Sequence, residues 1–202
     1  MALDHADFYE FSDPFEKRAL RLMLEEEWVT GKYRNMWVPL LTGEWLPPMP
    51  VVFRPRQGCE ERDFLWSGSP LFCVSARTVD ILLENRLVGW GTYPIEVYDW
   101  NDQAISGYHG FAIKGPAVER DLSRSEVISK YSTAGKPMSF YRGFYFDESK
   151  WDRSDFFRVD GTKVVTAAVV HALRRARVTN VAFTALPDVE TYAGAMNPAR
   201  FP

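Results

Sequence analysis

Three histidines and two cysteines leave this chain of 202 residues few side chains able to ligate a transition metal or attack a substrate. Cys59 and Cys73 form neither a CxxC pair nor a metal-ligand spacing, which points to free thiols and a bacterial-type cytosol. The phosphate-cradling GxxxxGKS/T loop and the dinucleotide GxGxxG loop are missing, as are HExxH and GxSxG. No apolar run approaches the roughly 20 residues that span a bilayer. The first residues, MALDHADFYEF, lack the basic and apolar regions of an export signal. The expectation is a cytoplasmic protein with no membrane contact. A net charge of −3 gives no global basic footprint for nucleic acid.

What is present is a composition able to build a real core. Hydrophobic residues make up 46% and charged residues 25%, the balance of an ordinary globule, and the length suits one domain. Aromatics reach 15%, and such side chains serve both cores and interfaces. Charge is uneven. Leu3 to Glu27 holds eight acids against three bases, and Lys150 to Arg177 seven bases against three acids. Solvated faces are the plain reading; steering of a basic partner by the acidic segment is the sharper one.

Along the chain, Asp13, Pro14 and Glu16 form a helix-start pattern, and Phe15, Ala19, Leu22 and Met23 follow at helical spacing. Glu25 to Glu27 fall at the wrong end of that helix's dipole. Met36 to Pro55 carries five prolines among apolar residues and reads as an ordered arm with extended pieces. Ile95–Asp99 and Tyr108–Ile113 read as the strands of a hairpin. Ser123 with Glu126 makes a capping-box pattern for a short helix reaching Tyr131. MSFYRGFYF reads as a strand with aromatics on both faces, either buried on both or exposing aromatics deliberately. The segment after Pro187 has no periodicity and is expected to wrap or fray.

One pattern occurs twice. DFLWSGSPLFCVS, from Asp63, is echoed by DFFRVDGTKVVT, from Asp155. Ser75 matches Thr166 as a helix N-cap, Leu82 matches Leu173, Arg86 matches Arg177, and Gly89 matches Asn180, both tolerant of positive φ. The turns are Ser67–Pro70 in one copy and Asp160-Gly161 in the other. Each copy therefore reads as hairpin, cap, helix, left-handed stop and strand. The shared positions are folding instructions and contain no chemical constellation. The fold expected is α+β, mostly antiparallel sheet with a few packed helices, in a single domain over residues 1–202 built on two ββα-type units.

Candidate chemistry is thin. His5 lies in an N-terminal segment expected to be mobile, and His171 on the solvent face of the second helix. His109, between glycines on a strand, could pair with Cys73, which precedes a helix N-terminus, as a hydrolase or transferase dyad. The neighbours Phe72 and Val74 favour Cys73 as a buried small hydrophobe instead. No cofactor or metal is expected. For partner binding the candidates are Trp90, Trp100, Tyr108, Tyr141 and Trp151, aromatics near turns or strand ends.

The segment WDRSDFFRVDGTKVVTAAVVHALRRARVTNVAF resembles a family of bacterial immunity proteins from polymorphic toxin systems. LFCVSARTVDILLEN and YPIEVYDWNDQAISGYHGFAI are similar to that family's middle region. The likeness covers residues 63–186, leaving 1–62 as a less typical N-terminal portion and 187–202 as a tail. It implies a non-enzymatic protein that binds a cognate toxin and neutralises it by contact. The family supplies no catalytic residues to carry over. A peptide-binding module that adds a strand to its sheet edge is the other reading, and an immunity protein can use the same mode.

Overall fold

The computed structural model describes residues 4–68, 70–133 and 135–193. Strands β1 (Phe8–Ser12) and β2 (Arg21–Leu24) lead into two short helices, α1 (Glu26–Val29) and α2 (Trp37–Thr42). Then come β3 (Val51–Gln57), β4 (Phe64–Trp66), β5 (Phe72–Ser75) and α3 (Ala76–Glu84). The middle contains β6 (Trp90–Tyr93), β7 (Ile95–Tyr98), β8 (Ala104–Ile105), β9 (Tyr108–Ile113) and β10 (Ala117–Val118). A hairpin of β11 (Glu126–Tyr131) and β12 (Pro137–Arg142) follows. The last elements are β13 (Phe156–Val159), β14 (Thr162–Thr166), α4 (Ala167–Arg175), β15 (Ala182–Ala185) and β16 (Glu190–Tyr192). The strands form four sheets, ordered β4-β5-β9-β6, β10-β13-β14-β1-β15, β2-β3-β7-β8 and β11-β12-β16. Of the strand pairs among the described residues, only β3–β7 and β10–β13 are parallel. The protein is thus α+β with mostly antiparallel sheets.

The echoed sequences build the same object twice. β4 pairs with β5, β5 with β9, and β9 with β6, the strand that follows α3. Likewise β13 pairs with β14, β14 with β1, and β1 with β15, the strand that follows α4. The registers correspond too: Cys73 faces Gly110 where Val164 faces Glu10, and Ser75 faces Tyr108 where Thr166 faces Phe8. The third strand enters from downstream in the first unit and from upstream in the second.

The units are tied together reciprocally. The Asp63 carboxylate accepts from the Thr179 N–H (2.9 Å) and hydroxyl (3.0 Å), just beyond α4, and from the Ser75 hydroxyl (2.9 Å). The Asp155 carboxylate accepts from the Val88 N–H (2.9 Å), just beyond α3, and from the Thr166 hydroxyl (2.7 Å). Val88 and Thr179 are equivalent positions, so each aspartate holds the other unit's helix exit, as an approximate two-fold axis requires. At the next position the units differ. A Cβ on Gly89 (φ +88°) would lie 2.5 Å from the Phe156 carbonyl oxygen. Asn180 instead reaches across and donates to the Phe64 carbonyl at 2.7 Å.

Both helices stop in Schellman geometry, with the left-handed residue three positions before the glycine and asparagine that the sequence pattern marks as stops. Arg86 N–H donates to Leu83 and Leu87 N–H to Leu82; Arg177 N–H donates to Arg174 and Val178 N–H to Leu173. The left-handed residue is an arginine in each, at φ 54°. Ser75 caps α3 through its hydroxyl, which accepts from the Thr78 N–H, whereas Thr166 spends its hydroxyl on Asp155 and makes no side-chain cap bond.

One aromatic core joins the units, with Phe11, Phe64, Trp66, Phe72, Phe111 and Phe156 in ring-to-ring contact. The second unit's sheet is buried on its other face as well, where Phe8, Phe157 and Val164 meet Phe144, Phe146 and Leu186.

Several sequence expectations are corrected. No long helix forms over 13–27: Leu22 and Leu24 are buried and Met23 exposed, a period of two, because β2 pairs with β3. Asp13 accepts instead from the Phe15 N–H (2.7 Å), and Phe15 has positive φ. The proline-rich arm is ordered as expected but contains α2, whose Pro39 sits in the first turn, where no N–H is needed. β7 and β9 are not a hairpin pair; β7 turns at Asn101–Asp102 into β8, and β9 joins the other sheet. Glu126–Tyr131 is strand β11 rather than helix, and Asp121 caps only a short 3-10 turn before it. MSFYRGFYF divides: β12 ends at Arg142 with its side chains exposed or half-buried, the second of the two alternatives, and Phe144 and Phe146 beyond it are buried. His5 is buried rather than mobile, 3.3 Å from the Phe146 carbonyl oxygen. The segment after Pro187 wraps through β16, and the expectation for 194–202 lies outside the described residues.

Burial alone would raise the Asp63 pKa, but hydrogen bonds from Thr179, Ser75 and Arg77 outweigh it and hold the carboxyl below its ordinary value. Its stabilisation is complete above about pH 4 and is lost as pH falls through the depressed folded value. Asp63→Ala is expected to cost about 2–3 kcal/mol at neutral pH in urea unfolding and to flatten the acid limb of the stability profile. Arg86→Gly and Arg177→Gly relieve left-handed strain at exposed helix ends; each is expected to add about 0.5–1 kcal/mol in the same measurement.

Candidate partner-binding surface

The cysteine–histidine pair is not assembled. Cys73 lies opposite Gly110 and His109 opposite Val74, so the two side chains leave opposite faces of the sheet. Cys73 is fully buried, and burial pushes its thiol pKa well above the ordinary value, away from a reactive thiolate. Cys59 is exposed in its loop, as is His171 on α4. Among the described residues no three His, Cys, Asp or Glu side chains come together to hold a metal ion.

The five aromatic candidates are dispersed. Trp90 stacks on Phe111 (5.8 Å, 7°) and donates to the Leu87 carbonyl. Tyr108 is half-buried and donates to the Arg62 carbonyl (2.8 Å); burial, then Glu61 and Asp63, push its pKa up. Trp151 packs 5.0 Å from Phe8 and donates to the Ser154 carbonyl. Trp100 is the one more than half exposed, at 57%, although its indole N–H donates to the Gly58 carbonyl. Tyr141 sits on β12, half-buried beneath the Arg120 guanidinium. No ring contact or hydrogen bond among the described residues joins any two of the five. Three of the eight acids in the N-terminal segment are paired within the molecule, Asp13 with Arg21, Glu16 with Arg62 and Glu25 with Arg54.

Tyr141 belongs to a surface the sequence reading did not anticipate. Sheet β11-β12-β16 is an arm with little cover on either face. Val127, Ser129 and Tyr131 alternate on one face of β11, Ile128 and Lys130 on the other, and only Ile128 is even half-buried. Val127 is 64% and Tyr131 79% exposed. β11 is the end strand in the sheet order, so its outer backbone edge has no strand partner among the described residues. Exposed apolar residues on an open edge are a ready template for another chain.

Charge fixes the arm's shape. Glu190 on β16 pairs with Lys130 of β11 and Arg142 of β12, the latter at 3.0 Å. Hydrogen bonds from Lys130 and Arg142 hold its carboxyl below the ordinary value. At the root, Arg120 is buried and donates to the Thr191 hydroxyl (2.6 Å), the Gly143 carbonyl (2.7 Å) and the Ser125 hydroxyl (3.2 Å). Its guanidinium also lies 4.2 Å from the Phe144 ring centroid, so one side chain joins β16, the end of β12 and the second core. Burial lowers the Arg120 pKa, opposed by Asp160 and Tyr141. The helical capping pattern at Ser123–Glu126 hid β11; the β-branched Val127 and Ile128 were the signal against it.

Compared with models of known protein families and with curated protein sequences, the chain finds no match. The arm's attachment is directly testable. Arg120→Met is expected to raise amide hydrogen exchange in β11 and β12 by about tenfold or more, through loss of three hydrogen bonds that are buried or part-buried, with α3 and α4 unaffected.

Proposed function

We propose that this protein binds a cognate bacterial toxin and neutralises it by protein–protein contact, with the β11–β12 arm as the docking element. The observation that carries the reading is the open six-residue edge of β11, exposed on both faces and bearing Val127 and Tyr131. An edge of this kind offers a partner main-chain hydrogen bonds by strand addition, and the flanking side chains supply specificity. Lys130, Arg142, Glu126 and Glu190 share the opposite face of the sheet with Ile128, so the edge is flanked by one apolar face and one charged face able to set orientation and on-rate. That the partner is a toxin is inferred from the likeness to immunity proteins read in residues 63–186 of the sequence. In this reading the two-unit body is the scaffold and the arm is the working part.

The same edge suits an extended peptide from a protein that is not a toxin. Mass spectrometry of proteins captured from the native host separates the two partners.

Co-expression with the toxin encoded beside this gene is expected to restore growth. The double variant Val127→Lys, Tyr131→Lys, which touches no core residue, is expected to melt as the parent does and to lose protection. Cells that die equally fast with and without the parent protein would defeat the reading. Protection retained by the double variant would remove the arm from it.

A further inference from the structure

A cleft of about 610 Å³ opens between α2 and the β13–β14 hairpin, within the size range of small-molecule sites. Trp37, Val38 and Leu41 form its apolar wall, and Glu10, Arg158 and Lys163 line the other side. Arg158 and Lys163 are register partners across the hairpin, so they project from one face. The Lys163 ammonium lies 5.6 Å from the Trp66 ring centroid and 5.9 Å from that of Phe72.

These three charges are not neutralised at contact distance. None makes a side-chain hydrogen bond or an ion pair within 4 Å among the described residues, and the Arg158 Nε is buried without a partner. Burial lowers the Lys163 pKa, with Glu10 and Asp13 opposing it from further away. Burial raises that of Glu10, opposed by Lys163, and lowers that of Arg158, opposed by Glu44. Desolvated and unpaired charges are costly.

The other unit shows that the fold does not require them. Arg158 faces Lys163 where Trp66 faces Phe72, and Glu10 faces Val164 where Gly110 faces Cys73. One copy of the scaffold is built with Trp, Phe and Gly at positions where its twin carries Arg, Lys and Glu. A difference that weakens folding in one copy alone marks a place selected for something other than folding.

We infer that this cleft binds an organic carboxylate with a flat apolar body. Arg158 and Lys163 face the carboxylate, and the body lies against Trp37, Val38 and Leu41. The carboxylate comes either from a free small acid or from an acidic side chain of a polypeptide. The site is separate from the β11 edge and independent of the toxin reading.

The test titrates the labelled full chain with indole-3-acetate, its neutral amide, and acetyl-tryptophyl-glutamate amide, followed by amide and indole NMR shifts. Saturable shifts at Trp37, Arg158 and Lys163 are expected for the acid, with the neutral amide weaker by about tenfold or more. Lys163→Met and Arg158→Leu are each expected to weaken the acid by a similar factor and, without ligand, to melt above the parent. Tighter binding of indole-3-acetate assigns a free acid; tighter binding of the blocked dipeptide assigns a polypeptide side chain. Should Lys163→Met fail to fold, Lys163→Gln serves the same comparison. No saturable shift from the acid or the dipeptide up to about 10 mM overturns the inference, as does equal affinity for acid and neutral amide. Lower melting in both variants overturns it too, since the charges would then serve the fold.

Discussion

Two aspartates at the start of equivalent hairpins exchange partners, and the rest of the molecule depends on that exchange. Asp63 holds the chain leaving α4 and Asp155 holds the chain leaving α3. Each carboxylate also fixes the hydroxyl at the head of its own helix, through Ser75 or Thr166. A single side chain therefore sets the distance between a hairpin, its own helix and the neighbouring unit. With both in place, Phe64 and Phe156 enter one shared aromatic core. Neither unit could bury that core face alone.

Beyond that frame the molecule is asymmetric in ways that matter for binding. The first unit's sheet uses apolar side chains where the second carries charge. The second unit's sheet is covered on both faces, and its outer core supports the root of the β11-β12-β16 arm through Arg120. The arm itself buries little. Its form is maintained by backbone pairing and by Glu190 between two cations, interactions that leave its apolar residues free for contact.

Much of the frame was readable from residues. The doubled words, the cap residues Ser75 and Thr166, the Asp160-Gly161 turn and helices α3 and α4 all follow local rules that packing then respects. What escaped reading was set at long range. Leu22 and Met23 sit at helical spacing, yet β3 draws them into a sheet, and tertiary pairing overrides propensity. Ser123 and Glu126 satisfy a capping rule, yet the β-branched residues between them and Tyr131 extend along β12. Of the five aromatic candidates only Tyr141 lies on the arm, because an aromatic near a turn looks the same whether it covers a core or faces a partner. The charged cleft was least legible, since Glu10 and Lys163 lie at opposite ends of the sequence.

That separation bears on how the molecule comes into being. The first unit draws all its strands from residues 64–113, a contiguous stretch that can close soon after it is synthesised. The second must place β1 between β14 and β15, pairing Phe8 with Thr166 across most of the chain. Until that late, high-contact-order step, β14 has an open edge and Phe11 of β1 does not line the cleft. The cleft is thus absent from any partly made protein, and its presence certifies that assembly is complete.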